Sequence, residues 1–134
     1  HFGTLADMEL YLRRILAPFG ITQDEDWAAL TRHSARALPG GSYALAYDPA
    51  IGVAFRITPS ADLDLWAVWE AVTCPVLLLR GEHSDLLLPD TADRMTRTGP
   101  RATLHTVPGC GHAPALMEAD SINLIRAFLS GSPA

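Results

Sequence analysis

Residues 75–85, PVLLLRGEHSD, decide the fold. Val76 to Leu79 form an unbroken apolar run that Gly81 ends. A strand with one wetted face alternates polar and apolar residues. A continuous run closed by a glycine fits a strand buried on both faces, as in a parallel sheet. Parallel strands need a long crossover, and residues 89–99, PDTADRMTRTG, read as a helix with Pro89 in its first turn and Gly99 at its end. Residues 102–109, ATLHTVPG, read as a second strand, and residues 119–131, ADSINLIRAFLSG, as a closing helix with Ile122, Ile125, Phe128 and Leu129 turned inward. Residues 60–72, SADLDLWAVWEAV, place Leu65, Val68, Trp69 and Val72 at helical spacing ahead of the first strand. Residues 61–134 therefore read α-β-α-β-α, the alternation of an α/β sheet.

Upstream the texture differs. Residues 4–20 carry Leu5, Met8, Leu12, Ile15 and Leu16 at helical period, with Thr4 as cap and Pro18 and Gly20 as the stop. Residues 22–41 suggest a second helix: Asp24 as cap, acids in its first turn, Trp27, Leu30 and Leu38 apolar, and Pro39-Gly40-Gly41 ending it. Residues 42–55 read as irregular or weakly extended. Residues 1–60 are thus expected to be helical and irregular, a segment distinct from residues 61–134.

Composition narrows the function classes. The chain has 134 residues, 49% of them hydrophobic and 19% charged, the balance of a soluble globular protein. Its net charge is -5, and all ten basic residues are arginines scattered along the chain, which excludes the basic stripe of a nucleic-acid footprint. No apolar run approaches the ~20 residues of a membrane span. Cys74 and Cys110 lack CxxC spacing and read as free thiols in a reducing, cytoplasmic setting. The chain opens HFGTLADMEL, without an initiator Met.

In open α/β sheets ligands bind beyond the carboxyl ends of the strands. The two loops at such ends are RGEHSDLLLP, residues 80–89, and PGCGHAPAL, residues 108–116. Parallel neighbouring strands would open both on one edge, where Asp85 could meet His112. A carboxylate on one imidazole nitrogen fixes the tautomer and stabilises the cation formed when the other takes a proton. Glu82 and Asp90 rival Asp85; Glu82 lies nearer the strand end, and Asp90 suits a helix's first turn. His83, Asp85, Cys110 and His112 are valid zinc ligands chemically, but their spacing matches no compact zinc pattern.

A strand ending LLLRGEHSDLL, a helix, and a strand ending VPGCGHAPAL resemble the C-terminal part of an α/β-hydrolase. The resemblance covers most of the chain. It implies Asp85 as triad acid and His112 as base, in the family's order nucleophile, acid, histidine. It also implies a helical lid for residues 1–60, a small, mostly apolar ester as substrate, and no cofactor or metal. The family's G-x-S-x-G nucleophile elbow is missing. Ser34, Ser60, Ser84 and Ser121 have no such setting, and GGSYA around Ser42 approaches it but follows a helix stop. The expectation is a C-terminal piece, inactive alone, with the nucleophile and oxyanion hole upstream; an aspartate nucleophile would indicate dehalogenase or epoxide-hydrolase chemistry instead. Two parallel strands leave unpaired edges, so self-association or pairing with a missing N-terminal half is expected. The missing nucleophile also motivates another class, a non-catalytic α/β binding or assembly module.

Overall fold

The computed structural model describes residues 1–57 and 63–131; the side chains of residues 54, 55 and 57 lie outside the description, as do residues 60–62 of the helix expected over 60–72. The chain divides into two compact units, His1–Ala17 with Thr22–Leu63, and Pro18–Ile21 with Asp64–Ala134.

In the first unit, helix α1 (Leu5–Ile15) begins as its sequence dictates. Thr4 Oγ1 accepts the Asp7 amide at 3.1 Å, and the Asp7 carboxylate accepts the Thr4 amide at 3.0 Å, a reciprocal cap that satisfies two otherwise orphaned donors. One turn apart, Met8 and Leu12 bury the inner face of α1, which packs against helix α2 (Asp24–Ser34). On α2 the buried pair is Trp27 and Thr31, and Thr31 returns its hydroxyl proton to the Trp27 carbonyl at 2.8 Å. Arg13 joins the helices, bonding Glu9 and Asp24 while its guanidinium lies 5.3 Å from the Trp27 ring centre. The α2 cap position falls on Gln23, which makes no side-chain capping bond, and the expected cap Asp24 is instead the first helical residue.

The second helix was expected to run on towards Pro39, but it stops at Ser34. Strand β1 (Ala35–Ala37) follows and pairs antiparallel with β2 (Tyr43–Leu45) through a turn where Gly40 and Gly41 take φ of 88° and 83°. Tyr43 also exchanges two backbone bonds with Phe2, both 2.9 Å. Non-local ladder bonds outweigh the helical propensity of the Ala-Arg-Ala run. The irregular reading of residues 42–55 likewise gives way to β2 and to helix α3 (Ile51–Ile57), before which Asp48 accepts the Ala50 amide at 2.8 Å.

In the second unit, β3 (Leu77–Gly81) and β4 (Thr103–Val107) pair in parallel from Leu77 opposite Thr103 to Gly81 opposite Val107. Helix α5 (Pro89–Arg97) makes the crossover, with proline at its start, where a missing N–H costs nothing. The short helix α4 (Trp66–Glu70) docks near the end of α5: Trp69 Nε1 donates to the Thr98 carbonyl at 3.2 Å, and the Arg94 guanidinium lies 3.6 Å from the Trp66 ring centre. Leu65 and Val68 are exposed in this unit rather than packed. Helix α6 (Ala119–Leu129) closes the chain, and its inward face matches the expected one only in part: Ile125 and Phe128 are half-buried. Ser121 is buried, whereas Ile122 and Leu129 are 41% and 77% exposed. No helix among the described residues is long and apolar enough to cross a membrane.

The burial pattern makes a stability prediction for the first unit. Met8→Ala, at a fully buried position, should lower unfolding free energy by about 2–5 kcal/mol. Leu10→Ala, at a position 70% exposed on the same helix, should stay within about 0.5 kcal/mol. Urea denaturation of both variants measures the contrast.

Candidate active site

Parallel pairing places the loops after β3 and β4 on one edge, and glycine lets them interlock. A Cβ added at Gly81 would lie 1.7 Å from the Gly111 carbonyl oxygen, so no side chain can begin there. With that approach open, the Glu82 amide donates to the Val107 carbonyl and the His83 amide to the Cys110 carbonyl, both at 2.9 Å. The Glu82 carboxylate accepts the Gly109 amide at 2.9 Å, and Gly109 takes φ of 67°, which a residue with a Cβ seldom adopts. Glu82 thus clamps the two loops together, and the same carboxylate lies 3.8 Å from His83 Nε2. Asp90 sits in the first turn of α5.

Arg80 shapes the first loop from inside. Its guanidinium is buried, and the chain curls round it. Nε donates to the Leu87 carbonyl at 2.8 Å, Nη1 to that of Glu82 at 3.2 Å and Nη2 to that of Ser84 at 3.4 Å. Carbonyl dipoles take the place of water around the cation. The same curl buries Ser84, whose Oγ accepts the Leu87 amide at 3.0 Å.

His112 is exposed at the lip of the second loop, with its Nδ1 3.1 Å from Ser84 Oγ. Asp85, the next residue, is also exposed, and no hydrogen bond or ion pair among the described residues joins it to His112. The two residues singled out in the sequence therefore come to one edge, but the ring's recorded partner is the serine beside the aspartate. Cys110, flanked by Gly109 and Gly111, is buried; burial, the largest effect, raises its thiol pKa. Among the described residues no three or more His, Cys, Asp or Glu side chains gather in a way that could hold a metal ion. Ser42 lies in the turn between β1 and β2, not on a strand-to-helix elbow.

The segment Pro18–Ile21 completes the unit. The Gly111 amide donates to the Pro18 carbonyl at 2.6 Å and the Ala115 amide to that of Phe19 at 2.9 Å. Beside it opens a cavity of about 420 Å³ lined by Phe19, Ile21, Val107, Pro114, Leu116 and Met117 among others; neither Asp85 nor His112 lines it. Sequence reasoning missed Arg80, the Ser84–His112 bond and the strap from Pro18. An arginine directly after the apolar run of β3 was the available signal for the first.

A sequence model described as Alpha/beta hydrolase family matches residues 3–122. The 3-hydroxybutyrate-oligomer hydrolase of Cupriavidus necator is 34% identical, the match covering 98% of this chain and 47% of that protein. A structure from Rickettsia typhi assigned as a hydrolase superposes with a TM-score of 0.85 at 33% identity, covering 98% of this chain and 44% of its own. An alpha/beta hydrolase from Novosphingobium aromaticivorans gives a TM-score of 0.80 at 31% identity, covering 96% and 46%. The chain thus spans about half the length of the relatives it matches.

Two outcomes follow from this geometry. Gly81→Ala should unseat the second loop, costing about 1–3 kcal/mol or more through overpacking, read as a fall in the urea midpoint. Buried Cys110, its thiol pKa raised, should react with a thiol reagent near neutral pH far more slowly than exposed Cys74; mass spectrometry of partly labelled protein resolves the two sites.

Proposed function

This chain belongs to the alpha/beta hydrolase family, and from that premise we propose that it carries the acid–base half of an ester hydrolase. His112 acts as general base and acid, Asp85 orients its ring, and a serine nucleophile with its oxyanion hole comes from a segment outside these 134 residues. The first unit serves as a helical lid over a small, mostly apolar substrate. The observation that carries this reading is the interlocked pair of loops at one edge of a parallel strand pair, with His112 Nδ1 within hydrogen-bond reach of the residue preceding Asp85.

The chemistry runs in two halves. As the nucleophile's oxygen attacks the ester carbonyl, His112 Nε2 takes its proton, and a carboxylate on Nδ1 stabilises the imidazolium. The tetrahedral adduct collapses, the C–O bond to the leaving alcohol breaks, and His112 returns the proton to that alcohol. Water repeats the sequence on the acyl-enzyme, releasing the carboxylic acid and regenerating the nucleophile. The name of the Cupriavidus necator relative favours an ester of a short hydroxy acid, since oligomers of such acids are joined by ester links.

Each strand of the β3–β4 pair has one neighbour among the described residues. Unpaired backbone donors and acceptors on the free edge recruit another strand. The reading therefore includes pairing of this edge with an N-terminal half or with a second copy.

The test is turnover of a short-chain nitrophenyl ester. The 134-residue chain alone should be inactive. A longer polypeptide that adds an N-terminal portion of the relatives' length should be active, and His112→Ala within it should lower kcat by roughly 10²–10⁴-fold. Asp85→Asn should fall in the same direction. Turnover indifferent to His112→Ala would overturn the assignment, and a longer polypeptide that binds but never turns over ester would favour a non-catalytic module.

A further inference from the structure

The proton bookkeeping at Ser84 carries an inference about how His112 is held. A serine hydroxyl has one proton to give and two lone pairs to receive. One lone pair of Ser84 Oγ is filled by the Leu87 amide at 3.0 Å. The other partner recorded for this oxygen is His112 Nδ1 at 3.1 Å. Ser84 is only 6% exposed, so its proton has little access to water. Were Nδ1 to donate to the serine, the hydroxyl proton would be left buried with no acceptor among the described residues, an arrangement folded proteins avoid. If the hydroxyl donates to Nδ1, every group is satisfied at once.

We infer that Ser84 is a positioning residue for His112: it donates its hydroxyl proton to Nδ1 and holds the neutral ring with its own proton on Nε2. Which nitrogen of an imidazole is protonated follows from the bond the other makes. A ring held this way has no lone pair free at Nε2 and takes no proton from a nucleophile there. To serve as base it exchanges Ser84 for an acceptor at Nδ1, and the neighbouring carboxylate is Asp85. Ser84 and Asp85 are then alternative partners of one nitrogen, and the structure shows the Ser84 arrangement. The consequence for catalysis rests on the reading of His112 as a base; the tautomer itself does not.

The tautomer is read directly by two-bond ¹H–¹⁵N correlation spectra of the 134-residue chain with labelled histidines, recorded well above the usual histidine pKa of about 6.5. His112→Gln identifies the ring's resonances by their loss. In the unsubstituted chain Nε2 should fall in the protonated range and Nδ1 in the unprotonated range, displaced by its hydrogen bond. Ser84→Ala should move Nδ1 to the position of an unbonded ring nitrogen, Ser84→Thr should restore the original pattern, and Asp85→Asn should leave it unchanged. A protonated Nδ1 in the unsubstituted chain would overturn the inference without any variant. So would an Nδ1 signal that ignores Ser84→Ala in a chain whose amide spectrum stays dispersed. Should Ser84→Ala lose that dispersion, the unsubstituted and Ser84→Thr spectra decide. The ester assay can fail while this result stands, and the reverse, so the two readings fail separately.

Discussion

A backbone carbonyl lies where a side chain at residue 81 would begin, and the second unit is organised around that approach. With hydrogen alone on the Gly81 α-carbon, the loop after β4 folds flat onto the end of β3. The Glu82 and His83 amides then find the Val107 and Cys110 carbonyls, and the Glu82 carboxylate finds Gly109. The imidazole at 112 inherits its position from these bonds. Parallel pairing supplies a common edge; the close approach turns two neighbouring loops into one platform.

A second constraint acts from beneath. Arg80, one residue before the end of β3, carries a charge that is taken out of water, and its donors are met by carbonyl oxygens of the loop that follows. Burying an ion without compensation is costly, so residues 82–87 must curl to present those carbonyls. That curl turns Ser84 inward and leaves Asp85 outside. The orientation of two adjacent side chains, one on the imidazole and one in solvent, follows from solvating a cation with backbone.

Much of this was legible in the residues, for reasons that differ by element. Helix α1 could be read because its signals are local: a Thr4–Asp7 cap and an apolar repeat through Met8 and Leu12. Strand β3 could be read because its leucines continue the apolar run from Val76; β4, mixed in polarity and largely exposed, could be read only from its place after a helix in the β-α-β alternation. The β1–β2 hairpin could not, since Ala35–Ala37 form good helix residues whose strand state depends on Tyr43–Leu45, with Phe2 beyond. Ile122 and Leu129 show the limit of periodicity: spacing reveals which residues share a stripe, not whether anything covers it. At the strand ends, residue type and placement brought the loops of Asp85 and His112 to one edge, but the expected contact between those two side chains is not made among the described residues. The Ser84 bond could not be read, because it arises from a loop bending round an arginine, and no spacing rule encodes that.

The strap at Pro18 and Phe19 gives the second unit a discontinuous pedigree. Its contiguous stretch begins at Asp64, yet the amides of Gly111 and Ala115 are received by carbonyls more than ninety positions earlier. A polypeptide trimmed to the contiguous stretch would keep every residue of both loops and lose the acceptors beneath the histidine turn. Excision at the apparent boundary is therefore not a neutral operation: the border of this unit in space and its border along the chain are different objects.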